Sequence, residues 1–188
     1  MSEVATRYPE LERVVIAEEQ IAARVRELGR EIEAFYPPEE ELLLIGLLKG
    51  AFMFLGDLVR AVSRTSLEVD FLIAALYGES TDPSRDVRVL YDMEQPIEGR
   101  HVLLVEDVVD SGKTLNRIGD ELSRRSPRSL EVCAFLHKRI AIDLRYEPRW
   151  VGFDAPSDWL VGYGLDLAER YRHLPFIGAI PREDKRGF

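Results

Sequence analysis

Nine consecutive residues, Glu106-Asp107-Val108-Val109-Asp110-Ser111-Gly112-Lys113-Thr114, bring together three carboxylates, two hydroxyls and a glycine. An apolar run at 102–105 precedes them, and Leu115 opens a helical pattern after them. A buried parallel strand that passes through a Ser/Gly/Thr turn into a helix start aims backbone N–H groups and a positive dipole end at one point, where a phosphate binds. Carboxylates beside such a point repel a bare anion. Glu106, Asp107 and Asp110 therefore make sense if the ligand also carries a polyol, a divalent cation or a proton to be removed. The segment is not a Walker P-loop, because that pattern requires a glycine where Asp107 stands.

The elements that must hold this segment alternate between strands and helices. Ile21, Val25, Leu28, Ile32 and Phe35 recur at spacings of 4, 3, 4 and 3, which predicts an amphipathic helix over Glu18–Phe35. Pro37-Pro38 stops it. Residues 42–47 read as a buried strand, 46–50 as a turn, 52–62 as a helix and 69–76 as a second strand. The polar segment 77–86 reads as a loop. Strands follow at Val87–Tyr91 and 102–105, then a helix at 115–122 and a strand at 130–136. Short β-like runs lie at 150–153, 159–163 and 176–180. This order implies an α/β fold with ligands at the carboxyl ends of the strands.

Composition narrows the function classes. At 188 residues the chain suggests one domain, large enough to bury roughly 70% of its unfolded surface. The 34 acids against 25 lysines and arginines give a net charge of −9, which argues against a nucleic-acid surface. No apolar run approaches the ~18 residues of a membrane span. The first residues, MSEVATRYPE, show no basic-then-apolar leader. The single cysteine, Cys133, sits in an apolar run and reads as a buried core thiol, which excludes a disulfide framework and suits a cytoplasmic location.

The pattern of four apolar residues, two acids, two apolar residues, Asp, Ser, Gly, a variable residue and Thr resembles the phosphoribosyl pyrophosphate (PRPP) signature of type I phosphoribosyltransferases. Four further segments, LLIGLLKGAFMF (43–54), AALYGEST (74–81), LHKR (136–139) and VGFDAPSDWLVGYGLDLAERYRHLP (151–175), resemble the hypoxanthine(-guanine) phosphoribosyltransferases in order and spacing. The resemblance runs from about residue 14 to residue 180. It implies a mainly parallel central sheet flanked by helices, with a small hood. We place the core at about 37–136 and the hood at 1–36 and 137–188, within a single domain 1–188.

The same resemblance assigns roles. It implies transfer of the 5-phosphoribosyl group of PRPP to N9 of a 6-oxopurine, hypoxanthine and also guanine, with Mg²⁺ as cofactor. Glu106 and Asp107 match the acids that hold the ribose hydroxyls and metal. Asp110, Ser111, Gly112, Lys113 and Thr114 match the 5-phosphate cradle, with Lys113 at its variable position. Asp110 also matches the proposed general base; positioning the purine by a hydrogen bond is the other role open to it. Lys49 and Gly50 match the pyrophosphate loop, where the Leu–Lys peptide can be cis; Lys49 would face the pyrophosphate or a neighbouring subunit, a solvent-facing loop lysine being the lesser alternative. Lys138 matches the donor to purine O6, and Trp159 the aromatic that stacks on the base, unless it is a core or interface tryptophan. Leu160 holds the position whose backbone reads the purine edge. Asp166 matches a second metal-associated acid and Arg172 the pyrophosphate arginine.

The mobile loop departs from the family pattern. Tyr77 and Gly78 are retained, but Leu76 stands where a serine hydroxyl is usual. A homodimer or homotetramer is expected. The alternatives are a xanthine-preferring transferase, or a PRPP-binding regulator of RNA. The regulator would need a basic surface and no Lys138, Trp159 and Asp166 set, whereas this chain is acidic and has all three.

Overall fold

A strand of leucine and isoleucine without alternation needs cover on both faces, and the run Leu42–Leu48 obtains it at the centre of the sheet. In a computed structural model, which describes residues 7–76, 87–140 and 143–181, this run is strand β2, buried from Leu42 to Leu47. Strand β1 (Arg13–Ile16) and helix α1 (Glu18–Phe35) come before it. Helix α2 (Phe52–Ala61) leads from β2 to β3 (Leu67–Leu76), and β4 (Val87–Tyr91) and β5 (His101–Val109) follow. Helix α3 (Lys113–Ser123), β6 (Ser129–His137), β7 (Trp150–Asp154), β8 (Trp159–Val161) and β9 (Ile177–Ile180) complete the order.

The main sheet has the order β4-β3-β2-β5-β6-β7, all parallel except the edge strand β4. Alternation along the strands sorts its side chains onto two faces. Leu42, Leu44, Leu103 and Val105 pack with Ile21, Val25, Leu28 and Ile32 of α1 and Phe54, Leu55 and Leu58 of α2. Leu43, Ile45, Val102 and Leu104 pack with Leu115, Ile118 and Leu122 of α3. The fold is the α/β arrangement expected.

A second, three-stranded antiparallel sheet, β1-β9-β8, forms the hood. The expected boundary at residue 36 needs correction. Helix α1 is not part of the hood; its apolar stripe packs on α2 and β7. Strand β7, also expected in the hood, extends the main sheet beside β6. Hood and core are joined by Tyr163, whose hydroxyl donates to Asp57 Oδ2 at 2.7 Å while its ring packs 4.8 Å from that of Phe135. Among the described residues no helix is long and apolar enough to cross a membrane.

Candidate active site

The two acids of the signature lie inside strand β5 and not after it. The expected strand stopped at residue 105, but the parallel ladder to β6 continues through Glu106↔Ala134, Val108↔Leu136 and Val109↔His137. That ladder holds Glu106 and Asp107 where solvation is poor. Glu106 is 6% exposed, and its Oε2 is buried with no hydrogen-bond partner among the described residues. Burial, and then the charge of Asp107, hold its carboxyl well above the usual range. Burial also pushes the Asp107 carboxyl up to about 6, against the backbone N–H of Val108, which donates to Oδ1 at 2.8 Å. Two adjacent carboxylates with this little protein compensation form a site that a cation or hydroxyl-bearing ligand would satisfy.

The turn that follows is built for an anion. Gly112 caps α3 in the left-handed conformation (φ 78°), a region that favours glycine. No side chain caps the helix, which leaves its first N–H groups for a ligand. Ser111 and Lys113 are exposed and Thr114 is half-buried. A cavity of ≈ 300 Å³ is lined by Glu106 to Gly112, Thr114 and Leu115.

A second cavity, of ≈ 220 Å³, shares Asp107, Val108 and Asp110 with the first, and is otherwise lined by Lys138, Trp159, Leu160, Leu165 and Asp166. Lys138 Nζ donates to Asp110 Oδ2 at 2.8 Å. The pairing follows from the sheet: Val109 and His137 are the last partners of the β5–β6 ladder, so the residues just beyond each strand end face one another. Trp159 is 42% exposed at the rim, while Leu160 is buried in β8. The arrangement combines a flat apolar wall, an ammonium and a carboxylate around a space of nucleobase size.

The remaining predicted residues converge from two loops. The Leu48–Lys49 peptide is cis. Gly50 lies against β5 so closely that a Cβ would stand 1.6 Å from Asp107 Oδ2. A Cβ on Gly164 would in turn stand 2.0 Å from the Gly50 carbonyl oxygen. Arg172 donates from Nη1 to that same turn, at Gly164 O (2.8 Å), and pairs through Nη2 with Asp166 Oδ1 (2.8 Å). Lys49 Nζ pairs with Glu169 Oε2 at 3.1 Å. Glu169 also lies 3.3 Å from Arg172 Nη2, and the two cations, Lys49 first, hold its carboxyl below the usual range.

The two cavities thus gather Glu106, Asp107, Asp110, Ser111, Gly112, Thr114, Lys138, Trp159, Leu160 and Asp166. Gly50 and Arg172 abut them through Asp107 and Asp166, Lys49 joins them only through Glu169, and the exposed Lys113 lines neither. Tyr77 and Gly78 lie outside the described residues. Sequence reasoning missed Leu165 and Val108 as cavity walls and Glu169 as the partner of both cations. Only Glu169 carried a signal, standing midway between Asp166 and Arg172 at spacings of three. Among the described residues no three acidic, histidine or cysteine side chains converge as a metal cage.

Comparison with known proteins agrees with this geometry. The phosphoribosyl transferase domain family matches residues 15–167. The hypoxanthine phosphoribosyltransferase of Escherichia coli is 45% identical over 168 residues, covering 89% of this chain and 94% of the relative. The hypoxanthine-guanine phosphoribosyltransferase of Mycobacterium tuberculosis is 45% identical over 184 residues, covering 95% and 91%. A crystal structure of the hypoxanthine-guanine phosphoribosyltransferase of Bacillus anthracis superimposes with a TM-score of 0.86 at 37% identity, covering 92% of this chain and 100% of that one. With adjoining cavities along 107–110 and relatives that match over about nine-tenths of this chain, the chain belongs to the phosphoribosyl transferase family, among its hypoxanthine(-guanine) members.

Proposed function

We propose that this enzyme transfers the 5-phosphoribosyl group of PRPP to N9 of a 6-oxopurine, hypoxanthine and also guanine, giving IMP or GMP and pyrophosphate in purine salvage. The observation that carries the reading is the pair of cavities sharing Asp107, Val108 and Asp110, one beneath an anion-binding helix start and one lined by Trp159 and Lys138. In this reading the bond from the sugar C1 to pyrophosphate breaks as the bond from C1 to N9 forms. The N–H groups of the 111–114 turn, with the Ser111 and Thr114 hydroxyls, fix the 5-phosphate and hold the sugar still. Glu106 and Asp107 accept hydrogen bonds from the ribose hydroxyls. Lys49 and Arg172, with the Gly50 backbone, meet the negative charge that grows on the departing pyrophosphate.

The base lies against Trp159, with its edge toward the Leu160 backbone. Lys138 donates to O6, which selects against adenine because an amino group there leaves the ammonium unpaired. Asp110 takes or holds the N7 proton while N9 attacks, its geometry mattering before its acidity. The donor set fits Mg²⁺, which takes one or two carboxylates plus phosphate oxygens and water in preference to an all-protein cage. Glu106, with its orphaned Oε2, and Asp107 on one side, or Asp166 on the other, would each offer such a one- or two-carboxylate site. Such an ion would supply neutralisation of the charge on the diphosphate.

The chain works in this reading as one phosphoribosyltransferase domain, a cytoplasmic homodimer or homotetramer. The exposed apolar residues Phe52, Val69 and Phe71 support association, which sedimentation measures directly. Function is tested by incubating the purified protein with Mg²⁺, PRPP and each of hypoxanthine, guanine, xanthine and adenine. Nucleoside monophosphate should form from the first two. No product from any 6-oxopurine defeats the reading, and fastest turnover of xanthine reassigns the acceptor.

A further inference from the structure

The two cations assigned to pyrophosphate already have an anion between them. Lys49 Nζ at 3.1 Å and Arg172 Nη2 at 3.3 Å meet the same atom, Glu169 Oε2. One carboxylate oxygen shared by an ammonium and a guanidinium is the contact that a phosphate oxygen makes. The side chains of Lys49 and Glu169 are 64% and 65% exposed, so this carboxylate is not committed to packing and can swing away. What holds its backbone is separate: the Glu169 N–H donates to Asp166 Oδ2 at 2.9 Å, in a left-handed turn with φ 51° at Ala168 and 64° at Glu169. Arg172 is likewise anchored without Glu169, through Gly164 O and Asp166 Oδ1. The carboxylate therefore adds little that the turn needs, yet it stands on the two charges a diphosphate requires.

We propose that Glu169 is a built-in competitor for the pyrophosphate subsite, a positioning residue that holds Lys49 and Arg172 between turnovers and takes them back as pyrophosphate leaves. The proposal rests on the function read above. A diphosphate carries several negative charges against one and displaces the carboxylate, but each binding event must first break two ion pairs. Affinity for PRPP and for pyrophosphate is lowered together, and product release is helped. The purine cavity, whose walls do not include Glu169, is left untouched.

The test is product inhibition in the full-length enzyme and its Glu169→Gln variant, with Glu169→Ala as a second variant. Removing the charge should lower both the pyrophosphate inhibition constant and the KM for PRPP by about threefold to tenfold, the scale of one or two exposed ion pairs. The KM for hypoxanthine should stay unchanged. The gap between variant and wild type should close as salt is raised to 0.5 M, a response that loss of packing would not give. An inhibition constant that is unchanged or higher in both variants overturns the proposal. Wild-type enzyme that forms no nucleotide overturns the underlying function instead, so the two failures are distinguishable.

Discussion

Replacing Glu106 with glutamine should make the ligand-free protein more stable while weakening its hold on PRPP. Glu106 is 6% exposed, its Oε2 finds no partner, and Asp107 adds a like charge beside it. An unpaired buried charge costs about 1–3 kcal/mol or more, and a neutral amide of the same shape still carries part of that desolvation cost. The expected gain is about 1–2 kcal/mol, and at ~2–4 °C per kcal/mol for a chain of this size Tm should rise by about 2–8 °C. The sign depends on pH. The folded-state pKa of Glu106 lies above its ordinary value of 4.5, so the wild-type contribution is fully present below about 4.5 and is lost as pH rises through the folded value. The Tm gap between variant and wild type should therefore be small at pH 4.5 and widest at pH 8. Scanning calorimetry of both proteins at pH 4.5, 6, 7 and 8, without Mg²⁺ or PRPP, measures it. Adding Mg²⁺ and PRPP should reverse the order, because only the carboxylate gains from them. A variant no more stable than wild type at pH 8, or a gap that does not change with pH, refutes the argument.

Three further outcomes follow from contacts at the site. Asp110→Asn should lower kcat about 10²–10⁴-fold with little change in the KM for PRPP, as steady-state kinetics will show; unchanged turnover rules out proton transfer by this group. Lys138→Gln should raise the KM for hypoxanthine by about tenfold to a hundredfold and narrow the preference over adenine, and equal discrimination in both proteins would contradict the O6 contact proposed for it. Gly50→Ala forces a Cβ to within 1.6 Å of Asp107 Oδ2, so the loop or the carboxylate must move. We expect a loss of about 1–3 kcal/mol in chemical denaturation and a raised KM for PRPP, and wild-type values for both would contradict the close approach.

Local pattern made some of this molecule readable. Helix α1 begins and ends where the 4-3-4-3 apolar spacing and Pro37 put it, and the VEDVVDSGKT segment announced a strand, a turn and a helix start. What stayed hidden depended on partners distant in the chain. Strand β1 is four residues long and exists because it pairs with β9, some 160 positions later. Strand β5 runs on through two residues of poor strand propensity because β6 supplies its ladder. The Asp110–Lys138 contact needs the register of two parallel strands, and the place of α1 needs to know which surface its stripe covers. The Glu169–Lys49 pair joins residues 120 positions apart, and only the fold brings their two loops together.

The contact of the Gly164 turn, the Gly50 loop and Asp107 has a mechanical consequence. Side chains absorb displacement by rotating about their χ angles, and between the hood and this carboxylate there is backbone alone. A shift of the hood turn therefore reaches the Gly50 peptide directly, and only the χ angles of Asp107 stand beyond it. Movement of the layer that carries Trp159 and Leu160 thereby bears on Asp107, the residue common to both cavities, across a spacer only one peptide thick.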